Sequence, residues 1–244
     1  MRRKANHVLV EHIRQKGESI IGLGTGRRRA MLHFMPIEDV SARHVFDQAL
    51  DEVHYAGSCQ RVGRCVRLAV TNGREWIGGV VLGSTFPNIA PRDDAFGLTK
   101  FIHNTRRRGL ISPFASENKL YWSNLQKIVN HARTFIFPAF QGEGLGINVH
   151  ALLLSQGRRI WQDRYGCEVY GFDTLCTHPK SRLFYENGWS LVGRTKGYTR
   201  DPETVLSSRR AFADEWRGIE ENAGLSKLEG SMRWWIWVVV FQRF

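Results

Sequence analysis

The stretch from Phe135 to Val149, FIFPAFQGEGLGINV, constrains this chain more than any other. A short apolar run, Phe135 to Phe137, ends at Pro138. Gln141, Gly144 and Gly146 follow at the spacing Q-x-x-G-x-G, and a helix-like segment runs from Ile147 to Trp161. Strand, glycine-rich turn and helix N-terminus together suit a pyrophosphate. Glycine lets backbone come close to a ligand, and the first N–H groups of a helix have no partner within it. The spacing is neither the dinucleotide G-x-G-x-x-G nor a P-loop, since no Lys-Ser/Thr follows. Alone, it also fits a plain strand–turn–helix joint.

Charge narrows the partners. Lys and Arg number 35 against 23 Asp and Glu, a formal charge of +12. Such an excess suits a polyanion: DNA, RNA or a membrane surface. The longest apolar run, Trp234 to Phe241, is too short to span a bilayer as a helix. The basic start, MRRKANHVLVEHIRQKG, lacks the apolar segment of a signal peptide. No membrane partner is therefore expected. The four cysteines form no C-x-x-C pair, which points to a reducing cytoplasm and away from a zinc ribbon or redox dithiol.

Along the chain, residues 1–31 read as a basic arm. Gly22, Gly24 and Gly26 there are a decoy for a nucleotide loop, because Arg27 to Arg29 follow where an apolar helix face would begin. The folded domain starts near Leu32. Apolar spacing from Val45 to Val53 predicts a helix over 42–53, with Ser41 as N-cap. CVRLAVTNGREWIGGVVLG predicts a β-hairpin closed by a type I′ turn at Asn72-Gly73. Residues 84–130 break the pattern. Lys100, Phe101, Arg106, Arg107, Arg108, Phe114, Lys119, Tyr121, Trp122 and Lys127 interleave charge and rings there, which suits a surface that holds phosphates and stacks bases. Residues 168–176 read as a strand, 181–186 as a short helix ended by Asn187-Gly188, and 189–192 as another strand. A late helix starts at Asp201-Pro202. The tail SMRWWIWVVVFQRF reads either as an extra strand or as an unpacked segment able to pair with another chain, hence a possible homodimer contact.

Two motifs in this order resemble the GCN5-related N-acyltransferase (GNAT) superfamily over residues 32–200. FIFPAFQGEGLG resembles its fourth strand and acyl-CoA loop. HPKSRLFYENGWSLVGR resembles its C-terminal motif. The resemblance implies an α/β (α+β) fold whose mixed central sheet splays between strands 4 and 5, flanked by helices. Residues 201–244 would follow as a C-terminal helix and apolar tail. The basic balance, the insertion, HYAG at 54–57 and FDTLC at 172–176 further resemble the Mom group within it, phage proteins that modify adenine in DNA. That group implies conversion of the adenine N6 amine to an acetamido derivative, which protects phage DNA from restriction in the host cytoplasm.

The same resemblance assigns roles. Acetyl-CoA or a related acyl donor would lie on Phe137, Gln141, Gly142, Gly144, Gly146 and Asn148. Tyr185 falls where many relatives keep the general acid toward the leaving thiolate, and Ser181 could bind donor or target. Asp173 is a carboxylate in an apolar strand, so it either has a partner or lines a site. With His54 and Tyr55 it is a candidate to grip or activate the base, or to hold a metal ion such as iron. Arg106, Arg107, Arg108, Phe114, Tyr121 and Trp122 would face double-stranded DNA. Two other classes remain open: a conventional acetyl-CoA N-acetyltransferase acting on a protein or small amine, and a non-catalytic nucleic-acid-binding protein.

Overall fold

The computed structural model describes residues 32–58, 63–102, 119–142, 144–176, 182–195 and 234–243. They form an α/β structure with helices on a mixed β-sheet, the class expected. In chain order the elements are β1 (His33–Pro36), α1 (Val40–Val53), β2 (Cys65–Thr71), β3 (Trp76–Ser84), α2 (Ala90–Phe96), α3 (Lys119–Leu125) and β4 (Ile128–Ile136). There follow α4 (Leu145–Leu152), α5 (Arg158–Tyr165), β5 (Gly171–Cys176), α6 (Arg182–Tyr185), β6 (Ser190–Arg194) and β7 (Trp235–Val240). The chain divides into two compact units, residues 1–83 with 132–166, and 84–131 with 167–244.

In the first unit β1, β2 and β3 are antiparallel neighbours. Asp39, not Ser41, caps α1: its side chain accepts the Ala42 N–H at 2.9 Å. Both residue types cap well, and the cap that reaches the N3 amide wins. The hairpin turn is also not type I′. Asn72 Oδ1 accepts the N–H groups of Arg74 and Glu75, Thr71 Oγ1 accepts that of Gly73, and a bulge lies at Val70/Thr71. The Asn side chain thus organises a longer loop, with Gly73 at φ +86°. Phe46 on α1 meets Trp76 at 6.2 Å and Phe135 at 5.3 Å between ring centroids. This core needs Gly79 on β3, where a Cβ would strike the rings of Phe46 and Phe135. The helical run after the glycine loop extends to Tyr165-Gly166, as its sequence indicates. A π turn at Leu153–Gly157 joins α4 to α5, which ends at Gly166 with φ +61°.

In the second unit the start of β4 pairs in parallel with β5, Ile128–Asn130 against Gly171–Asp173. A ladder of three pairs in strands of nine and six residues is what a sheet splayed at this point requires. The tail is neither loose nor external. As β7 it lies between β5 and β6, antiparallel to both, with Ile236, Trp237 and Val238 buried. The apolar run that looked available to another chain is consumed within its own core. The described parts of 84–130 also contribute to this core: Phe96, Leu98, Tyr121, Leu125 and Ile128 pack with Ile236 and Val238. The basic arm and the late helix lie outside the described residues.

Candidate functional site

The glycine loop leaves β4 through Phe137, whose N–H donates to the Ile77 carbonyl at 3.0 Å. Its ring packs edge-on against Trp76 at 4.7 Å and Phe135 at 5.5 Å, so this residue anchors the loop to the first-unit core. A single 3-10 turn, Pro138–Phe140, follows. Gln141 Nε2 donates to the Ile136 carbonyl at 2.9 Å and ties the loop back to the strand end. Gly142 and Gly144 have φ +120° and +72°. L-residues avoid that region, and glycine enters it freely. An added Cβ at Gly142 would meet nothing within 4 Å, so the backbone is open on that side. Gly144 caps α4 without a side chain, the Leu145 N–H donates to Gly142, and Gly146 and Asn148 sit in the first turn. The sequence motif therefore has the shape expected of it: bare backbone at the positive end of a helical run.

His54 and Tyr55 close α1 in the same unit, their rings stacked at 4.6 Å. His54 Nδ1 accepts the Ala56 N–H at 3.1 Å, which places the proton of the neutral ring on Nε2. Burial first, and then the nearby Arg133, lowers the ring to about 3. Burial alone lowers His150 of α4 to about 4. Both folded values lie below the 6.5 of a free imidazole, so the unfolded chain takes up these protons first as the pH falls. The linked stability is complete above about pH 6.5 and drains as pH drops toward 4. At His150 the slope is about 1.4 kcal/mol per pH unit. The thermal midpoint is expected to fall between pH 7 and pH 5; a flat midpoint over that range would refute the assignment.

The second unit holds a buried polar cluster that the sequence did not reveal. Asp173 on β5 is 1% exposed and fully partnered. Its Oδ2 accepts from Arg92 Nη1 at 2.7 Å and from the Thr85 hydroxyl, and its Oδ1 from Asn130 Nδ2 at 2.7 Å. Arg92 of α2 is wholly buried. Its Nε donates to Asp93 at 2.7 Å, its Nη1 also to Thr85, and its Nη2 to the Phe86 carbonyl at 2.7 Å. Burial opposes the Arg92 charge, but the facing carboxylates of Asp173 and Asp93 outweigh it and raise its pKa. Burial pushes the Asp93 carboxyl up, against the pull of Arg92.

Tyr121, expected to face DNA, is also fully buried here. Its hydroxyl donates to Asp93 at 3.2 Å and accepts the Asn88 N–H at 3.0 Å. Burial and the Asp93 charge push that hydroxyl to about 12. A ring with no exposed surface has no face for a base, so in this arrangement Tyr121 is a packing and anchoring residue. Trp122 beside it is half-buried against the same core. The clue to the cluster was the carboxylate of Asp173 itself, which demanded a partner. Arg92 lies 81 positions away, beyond any spacing rule.

A metal at His54, Tyr55 and Asp173 does not fit these side chains. Asp173 is committed to Arg92, Thr85 and Asn130. The neutral His54 ring spends its one lone pair on Ala56. Among the described residues no group of three or more His, Cys, Asp or Glu could hold an ion. Tyr185 ends α6 in the second unit at 57% exposure, its ring edge-on to Trp237 at 4.6 Å. Ser181, Arg106, Arg107, Arg108 and Phe114 lie outside the described residues. No helix among the described residues is long and apolar enough to cross a membrane.

No family model and no curated protein matches the chain. Solved structures give low-level likenesses. A Bacillus subtilis acetyltransferase in complex with CoA is 11% identical, covering 86% of this chain and 99% of its own, with TM-score 0.38. Arylalkylamine N-acetyltransferase 2 from Aedes aegypti is 12% identical over 86% and 99%, TM-score 0.39. A Drosophila melanogaster polyamine N-acetyltransferase is 12% identical over 86% and 100%, TM-score 0.41.

Proposed function

We propose that this chain is an acyl-donor-dependent enzyme that modifies the N6 amine of adenine in DNA, after the manner of the Mom group. The observation that carries the reading is the open, left-handed glycine backbone at Gly142 and Gly144, at the head of the α4 helical run, in a chain of charge +12. The first property suits the pyrophosphate of a coenzyme-A-type donor. The second suits a nucleic-acid acceptor.

In this reading the N–H groups of Gly142 and of residues 144–147 hold the donor's pyrophosphate, and Gln141 keeps the loop fixed to β4. The bound donor supplies an activated carbon. Adenine N6 is inaccessible inside a stacked duplex, so the acceptor base leaves the stack. Transfer through a carbonyl carbon would leave an amide on N6, whereas the acetamido product joins N6 to a CH2. The donor for that product therefore differs from a plain acetyl thioester in the carbon it delivers. As N6 bonds to that carbon, the carbon's bond to its leaving group breaks; Tyr185, exposed on α6, is the proposed proton donor to the leaving group, and the proton lost by N6 passes to solvent.

Nucleoside mass spectrometry on DNA from cells expressing the protein tests this. A modified deoxyadenosine is expected with the wild type. Gly144→Val, which forces a β-branched residue to φ +72°, is expected to lower its yield at least about tenfold. Unmodified DNA beside soluble, folded protein rejects the DNA reading. Acetylation of a small amine in the same preparation would favour the conventional N-acetyltransferase.

A further inference from the structure

We propose that Gln156, carried on the π turn between α4 and α5, is a strap that closes the outer edge of β1 against strand pairing with a second copy of this chain. All of its parts lie in the first unit. Among the described residues β1 is an outermost strand of the sheet, with β2 on one side only. An outer strand offers unpaired N–H and C=O groups to any extended segment that meets it, and two identical edges can pair with each other. At the other outer strand, β6, a bulge between Leu191 and Gly193 disturbs pairing by a different route.

The direction of each β1 amide follows from the ladder, because successive amides of a strand point to opposite sides. The Ile37 N–H, just past the strand, donates to the Arg67 carbonyl of β2 at 2.9 Å. The odd-numbered amides therefore face β2. Phe34 and Pro36, opposite Val70 and Leu68, face outward. Pro36 has no N–H to give. The other outward donor of β1 is Phe34, and its N–H donates to Gln156 Oε1 at 3.1 Å. With both positions closed, β1 has no amide left for a further strand.

The π turn accounts for how a helical side chain reaches a strand 122 positions away. The Arg158 N–H bonds back to the Leu153 carbonyl, five residues instead of four, so the run is wider here than a plain α-helix. The Ser155 hydroxyl donates to the Leu152 carbonyl at 3.2 Å and steadies the wide turn. Gly157 lets the turn lie against β1: an added Cβ would stand 2.8 Å from the Leu153 side chain and 3.6 Å from the Phe34 ring. Turns of this kind are rare and gather where a site needs them. The need met here is a carboxamide oxygen at the β1 edge.

Hydrogen exchange of the full chain, resolved to single amides, and sedimentation velocity test the strap. In the wild type the Phe34 amide is expected to be protected although no strand pairs with it. Gln156→Leu removes the acceptor at similar size. In dilute solution its Phe34 amide should exchange about two- to tenfold faster, the equivalent of one net hydrogen bond. The Met35 amide, which faces β2, should keep its wild-type rate. At higher concentration the variant should self-associate and Phe34 should regain protection, because the partner strand now accepts from it. Gln156→Glu keeps an acceptor oxygen and should sediment and exchange like the wild type. A Phe34 amide that exchanges in the wild type like an unstructured one overturns the inference, whatever the variants do. So does a Gln156→Leu variant that sediments like the wild type at every concentration, or one in which Phe34 and Met35 accelerate equally.

Discussion

Arg92→Ala is expected to lower stability by about 3–5 kcal/mol, the cost of breaking a buried ion pair by removing one partner. The substitution strips Asp173 and Asp93 of their common cation while both are 1% exposed. It also frees the Phe86 carbonyl and opens space between α2 and β5. Urea unfolding of the full chain, followed by circular dichroism, measures the loss. The exposed pair Arg164–Glu38, at 3.2 Å, is the internal control, and Arg164→Ala should change stability by no more than about 1 kcal/mol. Similar losses for the two variants would refute the buried cluster.

Asp173→Asn is the second large effect, and here the structure reverses what the sequence suggested. A carboxylate lining a site could be made an amide with the thermal transition left in place. The observed carboxylate accepts three hydrogen bonds from Arg92, Thr85 and Asn130, and an amide accepts at only one of its two ends. Whichever way it turns, an NH2 faces a donor. A loss of about 3 kcal/mol is expected, approaching that for a lost buried charge partner. In the double variant Arg92→Ala with Asp173→Ala, the combined loss should fall short of the sum by about 0.5–3 kcal/mol, the range for groups in one network. Additive losses would mean the two side chains do not interact. Modification activity should fall with Asp173→Asn even at temperatures where the variant is folded, because the segment that follows β3 loses its anchor at Thr85. Wild-type activity in the folded variant would reduce Asp173 to a purely structural role.

Local features were legible wherever neighbours in sequence settle the outcome. The α1 helix follows from its apolar spacing, the β2–β3 hairpin from alternation around Asn72-Gly73, and the glycine loop from Q-x-x-G-x-G. Each expectation erred only where two local solutions compete, as with Asp39 against Ser41 for the cap. The tail was the opposite case. WIWVVV carries no information about which strands it enters, because a uniformly apolar strand is equally suited to any buried slot. Its place between β5 and β6 is set by partners that come earlier in the chain. Tyr121 misled for a related reason. Among arginines and lysines it looked like a surface ring, yet a ring's burial depends on what packs over it, and here that is Phe96, Leu125 and β7.

By itself, the sequence determined the Q-x-x-G-x-G spacing of the loop, the alternation that makes β2 and β3, and the charge that calls for a polyanion. These depend on residue type and short spacing, so no distant contact can alter them. Only the tertiary structure decided that Asp173 is bound to Arg92, that Tyr121 faces inward, and that the apolar tail enters the sheet between β5 and β6. Those facts depend on side chains far apart in the chain meeting in a water-poor interior, where a carboxylate must find its donors and the fold chooses which they are.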